Sequence, residues 1–107
     1  MPYRKNVSIP EDKLLNYILS ETHTVGKLKA KFFRGAGFNE GNVNILKNSL
    51  LKIASNEVKN VITSAYGKKY VIEGKIKSPE GKILKLVTIW IIETGKTIPR
   101  FVTTYPL

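Results

Sequence analysis

The spacing of apolar residues changes near residue 57, and that change limits the fold of this chain more than any other feature. Before it, apolar side chains recur every three or four residues. They are Leu14, Leu15, Ile18 and Leu19, then Val25, Leu28, Phe32 and Phe33, then Val43, Ile45, Leu46, Leu50, Leu51 and Ile53. Such spacing lays a stripe along one side of a helix. After it the alternation is by twos, as in Tyr70, Ile72, Gly74 and Ile76, which lines one face of a strand. Helices first and strands second predict an α+β fold, with about three helices packed on a four-stranded antiparallel β-meander. The helical part covers about 10–56 and the sheet about 57–106, within a single domain of residues 1–107.

Local residues set the boundaries. After a short extended piece at Val7–Ile9, Pro10 suits the first turn of a helix, and Glu11 and Asp12 complement its dipole. A second helix is predicted from about Thr24 to Arg34, stopped by "GAGF" at 35–38. Asn39 reads as the N-cap of a third helix that ends near Ser55 and Asn56. In the second half, "EVKNVITSA" reads as a strand, "YGKK" as a turn and "KYVIEGKIKS" as the next strand. "PEG" makes a hairpin loop, and "KILKLVTIWIIE", the most apolar strand, belongs at the centre with Trp90 in the core. "TGK" turns the chain into "TIPRFVTTYP", where Pro99 places the last strand at an edge or marks a bulge.

Length and composition narrow the function. A chain of 107 residues is one domain long and buries roughly 60–68% of its unfolded surface. It has no cysteine, which excludes disulfides and thiolate chemistry and fits a reducing cytosol. No run of residues approaches a membrane span and the first residues lack a signal-peptide core, so the expectation is a soluble, cytoplasmic protein with no membrane partner, or one secreted as part of a larger protein. Eighteen Lys and Arg against eight Asp and Glu give a net charge of +10, and the sequence pI is 9.9. That balance is the footprint of a polyanion binder, usually of nucleic acid. Fifteen of the eighteen cations are lysine, which argues for affinity to phosphate rather than reading of bases.

Three groups of residues could carry chemistry. In "HTVGKLKAKFFR", His23, Lys27, Lys31 and Arg34 are spaced four, four and three apart and share a helix face. The same face also reads as ordinary solvated surface. Neighbouring cations and a helix N-terminus both depress an imidazole pKa, so His23 would stay neutral and able to accept a proton while the lysines hold a phosphate. In "PRFVTTYP", Arg100 is suited to grip phosphate, and Thr103 and Tyr105 offer hydroxyls. In a regular strand Thr103 and Tyr105 would face with Phe101, away from Arg100, unless a bulge, for instance at Pro99, shifts the phase. In "AYGKKY", Lys68 and Lys69 lie between tyrosines, a combination suited to single-stranded nucleic acid. One histidine, no cysteine and scattered carboxylates indicate no metal site and no cofactor.

The combination "HTVGKLKAKFFRGAGF", "YGKKYVIEGKI" and "TIWIIETGKTIPRFVTTYP", spread over residues 10–106, resembles a small bacterial domain family of unknown function. The order of elements, ending in a Thr-x-Tyr-Pro strand, is similar to the barnase, EndoU, colicin and RelE group of ribonuclease toxins. That resemblance implies a catalytic set of His23 and Lys27 from a helix with Arg100, Thr103 and Tyr105 from the last strand. It implies a metal-independent ribonuclease, whose nucleic-acid contacts would include Lys31, Arg34, Lys68 and Lys69. Its partners would be RNA and a small acidic antitoxin or immunity protein. Two alternatives fit the same residues: a non-catalytic nucleic-acid-binding module, and a protein-interaction component of a toxin–antitoxin pair.

Overall fold

A computed structural model of the chain describes residues 1–22 and 27–107, with Lys27 described by its backbone alone. Helix α1 (Glu11–Lys13) runs directly into a π-helical turn at Leu14–Ile18. Helix α2 covers Lys27–Gly35, and a 3-10 turn at Glu40–Asn42 leads into α3 (Val43–Ile53). Four strands follow, β1 (Val58–Ser64), β2 (Gly67–Lys77), β3 (Ile83–Glu93) and β4 (Arg100–Pro106). They form one antiparallel sheet in the order β1-β2-β3-β4. The fold is therefore α+β, with the helices first and an antiparallel meander after them. No helix among the described residues is long and apolar enough to cross a membrane.

The first helix is shorter than its apolar pattern suggests. After one α-turn the chain widens, and the Leu19 amide donates to the Leu14 carbonyl five residues back at 2.8 Å. This π geometry turns Leu14, Ile18 and Leu19 into the core together, all fully buried. Asn39 caps the 3-10 turn at Glu40–Asn42 rather than α3 itself, whose own N-cap position is Asn42. The Asn39 side chain accepts from the Gly41 amide, and the Asn42 side chain accepts from the Asn39 amide, both at 2.8 Å.

The core lies between the helices and one face of the sheet. Tyr70, Ile72 and Ile76 of β2 face Trp90, Thr88 and Leu84 of β3 across the ladder, and all six are buried. Phe33, Leu46, Leu50 and Ile53 close it from the helical side. Two residues of the expected apolar stripes lie outside it, since Leu28 is 74% and Ile45 49% exposed. Each sits at the margin of its stripe, where the helix has already turned from the sheet. Val25 and the start of the expected second helix fall outside the described residues.

"YGKK" is not the turn. The chain reverses at Ala65–Tyr66, and β2 already begins at Gly67. Gly67 has φ +145°, and a Cβ there would lie 2.3 Å from the Ile92 carbonyl oxygen. The glycine serves a close approach of two backbones, so Lys68 and Lys69 are strand residues.

Two contacts fix how the layers meet. The Trp90 indole donates to the Thr88 hydroxyl at 2.8 Å, and that hydroxyl donates to the Ile72 carbonyl at 2.7 Å. A Cβ added at Gly74 would meet Ile53 Cγ1 at 2.6 Å, so α3 crosses β2 where no side chain intervenes. Thr88→Val keeps the volume but orphans the indole N–H, and is expected to cost about 1–3 kcal/mol in urea unfolding. Gly74→Ala is expected to destabilise by a comparable ~1–3 kcal/mol through overpacking. Midpoints equal to wild type for both would contradict this account of the interface.

Candidate functional site

The position of the last strand follows from one irregularity. Ile89 of β3 is paired with Thr103, but the next residue, Trp90, is paired with Phe101. Val102 is thus an extra residue, a β-bulge inside β4 rather than at Pro99. Its effect is to shift the phase. Phe101 and Thr104 lie opposite the core residues Trp90 and Thr88, while Arg100, Thr103 and Tyr105 lie opposite Ile91, Ile89 and Val87. Directly opposed residues share a face of the sheet, so the three strand residues implicated by the sequence fall in one register set.

Thr103 is also where the helical part reaches the edge strand. Lys29 of α2 donates through Nζ to the Tyr17 hydroxyl at 2.8 Å and to Thr103 Oγ1 at 2.5 Å. Tyr17 Oη and Thr103 Oγ1 are 3.4 Å apart. Tyr17 stands on the π-helical turn, a geometry that recurs at functional sites. The Lys13 and Lys29 ammonium groups lie 5.3 and 5.0 Å from the centre of its ring. Among the described residues no carboxylate pairs with Lys29. Its charge is held by two neutral oxygens, an arrangement that leaves positive potential at the cluster.

Burial opposes ionisation of Tyr17. The hydrogen bonds with Lys29 and Thr103 and the charges of Lys29 and Lys13 outweigh it, and the phenol pKa is lowered. A phenol in this state exchanges protons more readily than an ordinary tyrosine.

The other sequence-derived residues are distributed as follows. Arg100 is ion-paired with Glu93. Arg34 makes a two-pronged contact with Glu40 at 2.6 and 2.9 Å, meets Glu21 at 3.1 Å, and donates to the Leu19 carbonyl. It therefore ties α2 to the turn before α3. Arg34 holds the Glu40 carboxyl down to about 2. Lys31, Lys68 and Lys69 are exposed, and Tyr105 is partly so. Lys27 opens α2. His23 lies outside the described residues.

The helical spacing of His23, Lys27, Lys31 and Arg34 marks the outward basic face of α2 and does not point to Lys29 or Tyr17. The available signal was a cation on the inward one: Lys29 lies three and four residues before Phe32 and Phe33, on the side of α2 that packs. A lysine at such a position requires oxygen partners.

The chain belongs to the DUF6883 family, a domain of unknown function, whose model matches residues 1–107. No curated protein matches it. Among solved structures it is similar to a chain of a contact-dependent growth inhibition toxin–immunity protein complex from Klebsiella pneumoniae 342. The two share 18% identity and a TM-score of 0.69, over 92% of this chain and 98% of that one. That likeness establishes a shared fold.

Two titrations test the electrostatics. Ultraviolet titration is expected to show one phenol ionising ahead of the others, absent in Tyr17→Phe and moved upward in Lys29→Met. Unchanged early ionisation in both variants would contradict the cluster. The Glu40 carboxyl is depressed in the folded state, so its stabilisation is present above the ordinary carboxylate value of 4.5 and is lost as pH falls toward about 2. The stability gap between wild type and Glu40→Gln is therefore expected to close over that window.

Proposed function

We propose that this chain is a metal-independent endoribonuclease of toxin type, acting at the Tyr17–Lys29–Thr103 cluster on the edge of β4. The observation that carries the reading is Lys29. It is an ammonium with no acidic partner among the described residues, held at a fixed place by two hydroxyls in a chain of net charge +10. A phosphodiester is the anion such a site accepts. The fold shared with a toxin–immunity complex agrees with this, and of the two sides of such a pair a strongly basic chain suits the one that must engage RNA.

In the proposed reaction His23 takes the proton from a ribose 2′-hydroxyl. The 2′-oxygen then bonds to phosphorus as the bond from phosphorus to the 5′-oxygen breaks, leaving a 2′,3′-cyclic phosphate. The departing oxygen takes up a proton, for which the Tyr17 phenol, sharing hydrogen bonds with Lys29, is suited. Lys29 and Lys27 stabilise charge developing on the phosphoryl oxygens. Arg100 joins them by exchanging Glu93 for phosphate, and Thr103 and Tyr105 orient the group by hydrogen bonding. Lys31, Arg34, Lys68 and Lys69 extend the contact with the RNA strand.

The same charge favours a small acidic partner protein that blocks the cluster, in the manner of an immunity protein or antitoxin.

The test is incubation of purified protein with transfer RNA in EDTA, beside His23→Ala and Lys29→Met. Cleavage to cyclic-phosphate ends is expected, reduced on the order of 100-fold or more in each variant. Intact RNA, or equal cleavage by wild type and both variants, rejects the reading.

A further inference from the structure

A second cationic site lies away from the cluster. β1 pairs with β2 only from Gly67 to Ile72, so the second half of β2 has an open side, and the end of α3 lies over it. There a hollow of about 240 Å³ is lined by Ser49 and Lys52 from α3 and by Lys75, Ile76 and Lys77 from β2. None of its lining residues is a carboxylate, and among the described residues its three lysines form no ion pair.

One further feature favours an anion. The Glu73 carbonyl accepts from Asn56 Nδ2 at 3.1 Å, so the backbone groups of Glu73 face this open side. The alternation of a strand turns the backbone groups of Lys75 and Lys77 the same way, adding amide donors to the ammonium groups. Against this stands the negative end of the α3 dipole, worth roughly half a charge, which three ammonium groups outweigh.

We propose that this hollow holds a backbone phosphate of bound RNA, outside the reacting cluster. The β2 strand that carries it is separated from β4 by β3, a lateral distance of about 10 Å. One phosphodiester therefore cannot occupy both places, and the hollow would engage a flanking nucleotide. The choice of RNA rests on the nuclease reading; the cationic hollow does not.

The experiment measures binding of a 2′-O-methyl RNA decamer, which lacks the attacking hydroxyl and cannot be cleaved, across a series of salt concentrations. Three proteins are compared: wild type, Lys52→Gln/Lys75→Gln/Lys77→Gln, and a charge-matched control with Arg4→Gln/Lys5→Gln/Lys96→Gln. Loss of one phosphate contact is expected to lower the slope of log affinity against log salt by about 0.7 in the hollow variant. Its affinity at low salt should fall roughly tenfold, because charge-assisted bonds are lost. The control should keep the wild-type slope. An unchanged slope in the hollow variant, an equal change in the control, or no binding by wild type overturns the proposal. A chain that binds the decamer through these lysines yet cleaves no RNA keeps the hollow and refutes only the nuclease reading.

Discussion

Val102 has no partner on β3, and that one unpaired residue sets the direction of every side chain on β4. With it, Phe101 enters the core edge-on to Trp90, their ring centres 5.4 Å apart, while Thr104 lies opposite Thr88 and donates to the Val87 carbonyl. A regular strand could not do this and also set Thr103 in phase with Arg100 and Tyr105. The bulge lets one short strand seal the core and hand its polar residues to another surface. Residue by residue, the site depends on the packing of Trp90.

Most of the cations fall into two groups with different roles. Arg34 and Arg100 are paired with carboxylates in the free chain, and Arg34 in particular links α2 to Glu40, Glu21 and the Leu19 carbonyl. Their planar forks suit such fixed geometry. Most lysines are spread over the surface, where they create potential without contacts. Lys29 belongs to neither group: it is partly buried, and its partners are a phenol and a hydroxyl. A charge retained in such a place without a carboxylate is the feature on which the proposed reading rests.

Much of the fold was legible because it follows from short-range rules. The change of period near residue 57, the Asn39 cap and the central apolar strand each rest on residues within one turn or one hairpin. The π-turn was not legible, because Leu14, Leu15, Ile18 and Leu19 satisfy an α-helical pattern equally well. The bulge was foreseen as a condition but not located: nothing in "RFVTTYP" distinguishes Val102 from its neighbours until Trp90 claims Phe101. Leu28 and Ile45 show the complementary failure, since an apolar stripe does not say how far the partner layer extends. Of the candidate site, Thr103, Tyr105 and Arg100 could be read from residue type, whereas Lys29 and Tyr17 depended on a contact between elements 74 and 86 residues from Thr103 in sequence.

The proposed reaction requires Lys29 and Thr103 to face an incoming phosphodiester together. The most direct measurement is an NMR titration of protein labelled at lysine side-chain nitrogens and threonine methyls, using a 2′-O-methyl dinucleotide that carries a single phosphate. Saturable shifts of the Lys29 and Thr103 signals, moving together and ahead of the exposed lysines, are the predicted result. If those two signals stay fixed while surface lysines respond, the cluster is only a structural brace between helix and sheet.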